Sequence, residues 1–147
     1  MATTTTTYNK RRMSLREGSV YLDGTKVLDA VKCEAVFTPE VVESRALKER
    51  GLSRRWIGYD ITGTITEYRT TPWARQAIAK YLKTGETPEF TLTGIQNDKN
   101  SDYFEKNGNI KETLKGVVLT GDLSLLNLDA EGELLQDEIE FGAAKLV

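Results

Sequence analysis

Apolar and polar residues alternate with a period of two over most of this chain, which is the mark of half-buried β-strands. The alternation starts at Gly18 with Ser19-Val20-Tyr21-Leu22, breaks at Asp23-Gly24 and resumes from Lys26 to Thr38. Asp-Gly between apolar runs predicts a tight hairpin. In the second run Val27, Val31, Cys33, Ala35 and Phe37 fall on one face, with Lys32 and Glu34 on the other. Cys33 is therefore expected to be a small buried side chain and not a nucleophile. Trp56 to Arg69 is the clearest strand, with Ile61, Gly63, Ile65 and Glu67 alternating against Asp60, Thr62, Thr64, Thr66 and Tyr68. Threonine combines high strand propensity with a hydroxyl that tolerates water, so this stripe reads as a wet sheet face. Further strands are predicted at Glu89 to Ile95, Ile110 to Leu119, weakly at Leu123 to Leu128, and at Leu134 to Phe141. In the last of these Ile139 and Phe141 oppose Glu138 and Glu140.

One segment carries a helical period. Pro72 to Thr84 is predicted as a helix with Thr71 as N-cap, Pro72 in the first helical position and Gly85 as the stop. Its apolar stripe of Trp73, Ala74, Ala77, Ile78, Tyr81 and Leu82 is expected to pack on the sheet, leaving Arg75, Lys80 and Lys83 outside. Two stretches read as loops. Residues 39 to 55 open with Pro39 and hold five basic side chains against three acidic ones, a long connection of the kind that is functional or disordered. A subunit-contact arm is the favoured reading, beside phosphate binding and a plain solvated loop. Asn97 to Asn109 places Asp98, Asn100 and Asp102 at calcium-loop spacing, but Tyr103 stands where the sharp turn needs glycine and Asn109 where a bidentate glutamate belongs.

Charge sharpens this picture. The 147 residues carry 20 basic and 22 acidic groups for a net charge of −2, which argues against a broad nucleic-acid-gripping surface. The balance is uneven along the chain: residues 1 to 55 hold 11 basic and 7 acidic groups, and residues 56 to 147 hold 9 and 15. Asp122 to Glu140 contains seven carboxylates and no basic residue. Opposite charge on two faces of one subunit favours head-to-tail association. The first 16 residues, a threonine run followed by Lys10, Arg11, Arg12 and Arg16, read as a flexible arm, and residues 17 to 147 as one domain. No run reaches the roughly 20 apolar residues that span a bilayer. The N-terminus shows no secretory h-region, so a cytoplasmic start is expected.

The chain has no histidine and one cysteine, which removes histidine-based triads, Cys/His zinc sites and internal disulfides. No lysine follows a phosphate-cradling glycine turn, and carboxylate spacing alone does not set two acids across a glycosidic bond. No catalytic residue, metal ligand, cofactor or small-molecule substrate is expected. What remains is a mainly β (α+β) domain, an antiparallel β-sandwich or small barrel with one flanking helix and a long charged loop. A sequence-independent nucleic-acid-binding β-barrel is the alternative, resting on Trp56, Tyr59 and Tyr68 beside Arg54, Arg55 and Arg69.

Several pieces recur in a known order: Glu17-Gly18-Ser19-Val20-Tyr21-Leu22-Asp23-Gly24, then Gly58-Tyr59-Asp60-Ile61-Thr62-Gly63-Thr64-Ile65 with Tyr68. Ile78-Ala79-Lys80-Tyr81-Leu82-Lys83-Thr84-Gly85 follows with Pro88 and Phe90, then Gly116-Val117, Leu126-Asn127-Leu128-Asp129 and a closing Glu138-Ile139-Glu140-Phe141. Over residues 16 to 143 this order resembles the phage tail tube proteins of the XkdM-like type, found in contractile phage tails and phage-tail-derived bacteriocins. The threonine run departs from the usual start. The resemblance implies a virion protein, made in the host bacterial cytoplasm, whose copies form hexameric rings that stack into a hollow tube for DNA ejection. It implies as partners other copies of the chain, a tail sheath protein, a tape-measure protein, tail terminator and baseplate proteins, and double-stranded DNA in transit.

Combined with the alternation, that role assigns Lys32, Glu34, Asp60, Thr62, Thr64, Thr66, Glu138 and Glu140 to a DNA-facing lumen, with Lys32 as a cross-strand partner. Hydroxyl-rich or acidic walls let a polyanion slide where basic walls would hold it. Ring stacking is assigned to Arg45, Lys48, Arg50, Arg54 and Arg55 meeting Asp129, Glu131 and Glu133 of a neighbour, and a sheath contact to Arg75, Lys80 and Lys83.

Overall fold

The computed structural model describes residues 11–27 and 30–147, so residues 1–10 of the expected arm lie outside it. The elements run β1 (Gly18–Leu22), β2 (Thr25–Lys26), β3 (Ala30–Ser44), β4 (Ser53–Tyr68), α1 (Trp73–Thr84), β5 (Phe90–Gln96), α2 (Asp102–Asn107), β6 (Ile110–Leu119), β7 (Gln136–Ala143) and β8 (Lys145–Leu146). Asp23 and Gly24 both have positive φ (50° and 83°), the geometry that lets a two-residue turn follow the twist of its strands.

All pairings are antiparallel, in the order β2-β1-β5-β6-β7-β4-β3, with β8 added beside β6. The sheet folds into two layers and does not close into a barrel. The bend lies in β6, whose first part pairs with β5 while Val118 and Leu119 pair with β7. Between Leu114 and Val117 the β5–β6 register slips, and Gly116 takes φ of 66° there. A bulge built on a left-handed glycine re-aims the strand. Val20, Leu92, Leu114 and Val117 from one layer meet Ile61, Ile65 and Phe141 from the other in a single core.

Several sequence expectations change. Residues 39 to 55 are not one long loop: β3 continues through Ser44, β4 begins at Ser53, and only Arg45 to Leu52 connect them. Leu123 to Leu128 form no strand. Cys33 is exposed, although the surrounding sheet pushes its thiol pKa up by desolvation. Val31 lies at a register shift between Ala30 and Lys32, so Ala30 packs against the core while Val31 is exposed. Helix α1 is capped by Pro72 without a side-chain hydrogen bond, not by Thr71, and ends on left-handed Gly85 as expected. Its first turns are held by Trp73, which meets the Phe90 ring edge-on at 5.7 Å and donates its indole N–H to Glu67 Oε1 at 2.6 Å. Ala77 is buried, but Tyr81 and Leu82 at its far end are exposed. The 97–109 stretch contains α2, started by Ser101, whose hydroxyl accepts the Phe104 N–H.

The calcium-like acids are occupied within the chain. Asp98 accepts the N–H groups of Ser14 and Asn100. Asp102 accepts the Arg11 guanidinium at 3.0 Å, and Glu105 takes a second arm of the same group. These contacts raise the Arg11 pKa, the Asp102 hydrogen bond foremost, and tie residues 11–17 along the 96–105 segment. Among the described residues no cluster of His, Cys, Asp or Glu could hold a metal, and no helix is long and apolar enough to cross a membrane.

Candidate functional site

The β3–β4–β7 layer sorts its residues by register. Directly opposed residues of an antiparallel pair share a face, and the pairs are Lys32 with Thr66, Glu34 with Thr64, Val36 with Thr62 and Thr38 with Asp60. Across β4, Thr66 opposes Glu138 and Thr64 opposes Glu140. Lys32, Glu34, Asp60, Thr62, Thr64, Thr66, Glu138 and Glu140 therefore share one face, turned away from the core that receives Ile61, Ile65, Ile139 and Phe141. These eight residues supply four carboxylates and one cation. Lys32 Nζ lies 3.6 Å from Glu34 Oε2, two residues along its own strand, so its ion-pair partner is not the cross-strand group expected. A depression of about 430 Å³ lies on this face, bordered by Glu34, Thr62, Thr64, Thr120 and Glu140.

Strand β7 accompanies β4 only from Ile61 to Tyr68. The β3–β4 hairpin beyond it extends as a two-stranded ribbon, with a bulge at Ile57 where Glu40 opposes Gly58 and Val41 opposes Trp56. Arg45, Lys48 and Arg50 stand exposed at its tip, with Lys48 at φ of 69° in the turn. Arg55 is exposed nearby, and Arg54 is engaged by Glu43 at 3.4 Å. Alternation did not single out the aromatic shelf on the core side of this ribbon. Phe37 stacks on Tyr59 at 5.4 Å and meets Trp56 at 5.7 Å, and all three rings are exposed. The missed signal was the β4 pattern itself, which puts Trp56 and Tyr59 where strand register demands a neighbour for Phe37.

Asp129, Glu131 and Glu133 lie in the irregular segment between β6 and β7, where Asp129 Oδ1 accepts the Glu131 N–H at 3.0 Å to form a turn. This segment sits at the far end of β4 from the hairpin tip, because Arg69, just past β4, hydrogen-bonds Leu135 through its backbone N–H. Sixteen strand residues separate the two by roughly 50 Å. One copy thus does not bring its basic tip and acidic turn together. The Arg69 guanidinium makes two 2.7 Å bonds to Asp137 and donates to the Ser124 carbonyl at 2.8 Å; its pKa is raised, chiefly by Asp137. The basic-aromatic set of the nucleic-acid alternative is accordingly split: Arg54, Arg55, Trp56 and Tyr59 lie on the ribbon, and Tyr68 and Arg69 at the opposite end. Arg75, Lys80 and Lys83 are exposed on α1.

The sequence profile of the phage tail tube proteins matches residues 5–144, nearly the whole chain. The chain belongs to the phage tail tube protein family. It is 28% identical over 129 residues to the phage-like element PBSX protein XkdM of Bacillus subtilis (strain 168), covering 88% of this chain and 84% of that one. It is equally similar, over the same shares, to the uncharacterized protein YqbM of the same strain. Among solved structures its fold resembles a chain in the sheath/tube terminator of an extracellular contractile injection system, PVC, in the extended state. The TM-score is 0.69 at 10% identity, covering 97% of this chain and 98% of that one. A chain of the PVC sheath-tube complex gives 0.66 at 10% identity, covering 99% and 97%. One from a native gene transfer agent virion gives 0.57 at 16%, covering 90% and 95%. The tail tube resemblance read from the residues is borne out, and with it the mainly antiparallel fold flanked by a helix. This tail tube family protein is a structural component of a phage tail or tail-like particle.

Proposed function

We propose that copies of this tail tube protein close into six-fold rings, and that the rings stack into a hollow tube conducting DNA from particle to host. The observation that carries this reading is the polar face of β3–β4–β7, where Glu34, Asp60, Glu138 and Glu140 stand among Thr38, Thr62, Thr64 and Thr66 beside Lys32. Turned inward, that wall repels the phosphate backbone and offers few cations for counterion release, so DNA slides along it. Closure also explains the open edge. Strand β3 ends the sheet with 15 residues paired on one side only, a liability that pairing with the next copy in the ring removes. In this reading the basic hairpin tip meets the acidic Asp129–Glu133 turn of a copy in the adjacent ring, with Arg45, Lys48, Arg50 and Arg55 supplying the steering charge.

The remaining partners are those that membership of the tail tube family suggests. A tape-measure protein fills the bore before DNA does, a sheath surrounds the tube near Arg75, Lys80 and Lys83, and terminator and baseplate proteins close its ends. Assembly takes place in the host cytoplasm before the particle is released. The proposed role is structural throughout and involves no catalysis.

Negative-stain electron microscopy of the purified chain across a concentration series tests the reading. Hollow tubes or six-fold rings are expected, and a species that stays monomeric at every concentration counts against it. Glu138→Lys with Glu140→Lys tests the lumen assignment separately. Tubes should still form while DNA delivery by particles carrying the change falls; intact tubes with unchanged infectivity would remove these residues from the bore.

A further inference from the structure

The segment between β6 and β7 combines two properties that rarely coexist on a free surface. Leu125, Leu126, Leu128 and Leu134 are between 64% and 84% exposed, yet the segment is fastened at both ends by one residue. Arg69 takes the Ser124 carbonyl through its guanidinium and the Leu135 carbonyl through its backbone N–H, while Asp137 grips the guanidinium from β7. A loop that is held in shape while presenting leucines to water is arranged to meet an apolar surface. We propose that this clamped loop is a preformed knob that docks on the aromatic shelf of Phe37, Trp56 and Tyr59 in a second copy of the chain.

Two features select that occupant. The knob carries Asp122, Asp129, Glu131 and Glu133 with no basic residue, whereas residues 45–55 beside the shelf carry five basic groups and one acid. The shelf itself is an exposed apolar surface three rings wide, matched in character to the exposed leucines of the knob. The shelf starts near the middle of β4, where Phe37 opposes Ile61 and Tyr59 donates its hydroxyl to the Ala144 carbonyl, and the knob is fastened beyond Tyr68, roughly 26 to 43 Å along the strand, too far for the two to meet within one copy. A contact between unlike ends of identical copies repeats from copy to copy, and where its rotation does not close into a ring it builds an open polymer, as a growing tube requires. This inference rests on the tube-assembly reading and adds its apolar anchor: charge steers the approach, and leucine on aromatic rings holds it.

Cross-linking tests the pairing. In a Cys33→Ser background, Asn127→Cys and Val41→Cys are placed on the same chain and assembled protein is oxidised with copper phenanthroline. A ladder of covalent dimers, trimers and higher species is expected, with neither single variant giving species beyond a dimer. Visible tubes without a ladder overturn the knob-and-shelf contact and leave tube assembly standing; no assembly by the wild type at any concentration overturns both. Leu126→Ser with Leu128→Ser, at positions already in water, provides a second readout. It should retain the wild-type circular dichroism spectrum and raise the critical concentration for assembly at least tenfold, and an unchanged critical concentration refutes the proposal. Arg69→Lys, which keeps the charge but not the fork that reaches both Asp137 and Ser124, is expected to fall between the two, identifying Arg69 as a positioning residue.

Discussion

Gly63 lies at the centre of β4, opposite Ala35 on one side and Phe141 on the other. It offers a quantitative test of how the two neighbouring strands pack. A Cβ added there would fall inside the van der Waals envelope of the Glu34 carbonyl oxygen, 2.5 Å from Phe141 Cζ and 3.0 Å from Ala35 Cα. Ordinary contact begins at 3.4 Å, so the fully buried Phe141 ring must retreat by about 1 Å in an interior packed as densely as an organic crystal. The carbonyl belongs to the β3 backbone and moves only with its strand. Overpacking of this kind costs about 1–3 kcal/mol, and one strained ladder bond adds about 1 kcal/mol. Gly63→Ala should therefore destabilise the subunit by about 3 kcal/mol, a fall in Tm of roughly 9 °C for a chain of this size. Thermal unfolding of dilute monomer, followed by circular dichroism, measures it. Gly94→Ala is the control, because a Cβ there meets nothing within 4 Å; it should leave Tm unchanged or raise it slightly by restricting the unfolded chain. If Gly63→Ala melts within about 2 °C of wild type, the close approach of β3 and Phe141 to β4 is not what the packing argument requires.

Two further perturbations probe other parts of the fold. Trp73→Phe keeps a ring against Phe90 but removes the donor to the buried Glu67 carboxylate, and should cost about 1–3 kcal/mol. Hydrogen exchange should show α1 amides opening faster while the β4–β7 ladder stays protected; uniform loss of protection would contradict a helix pinned mainly at its first turn. Partial desolvation by the surrounding sheet pushes the thiol pKa of the exposed Cys33 up, so less thiolate is present at pH 8 than for an ordinary cysteine. Iodoacetamide should accordingly modify Cys33 more slowly than a small free thiol at pH 8, with the rate still climbing above pH 9. Parity at pH 8 would refute the shift.

Strand faces were legible because a period of two needs no knowledge of the partner strand. Once Ile61 and Ile65 face the core, the threonines between them must face away, and the same rule sorts Glu138 and Glu140 from Ile139 and Phe141. The β3–β4 ribbon was not legible for a related reason. Beyond the reach of β7 neither of its faces meets the core, so its residues show no amphipathic alternation, and Pro39 with five cations reads as loop. Edge strands tolerate proline, and β3 is an edge strand. Leu123 to Leu128 misled in the opposite direction: an apolar run suggested a strand, whereas the leucines stand on an irregular loop whose shape comes from Arg69, distant in sequence. Helix α2 did carry a readable start in Ser101 followed by Asp102 and Glu105, outweighed by the polar residues around it. The tether between Arg11 and Asp102 joins residues 91 apart, and no local pattern announces such a pair.

Strand β6 has a consequence for how the subunit comes apart. Because it pairs with β5 before the Gly116 bulge and with β7 after it, each layer owns part of the same strand. Removing either layer strips bonds from the other, so the two behave as one cooperative unit with a single melting transition. The sheet also joins segments far apart in the chain, β1 with β5 and β4 with β7, which places its folding on the slow side for a domain of this length. A copy is then either wholly native or wholly unable to present the pairings along β4 and β7. Half-made subunits are scarce at equilibrium, and a polymer drawing on that pool is supplied almost entirely with finished parts.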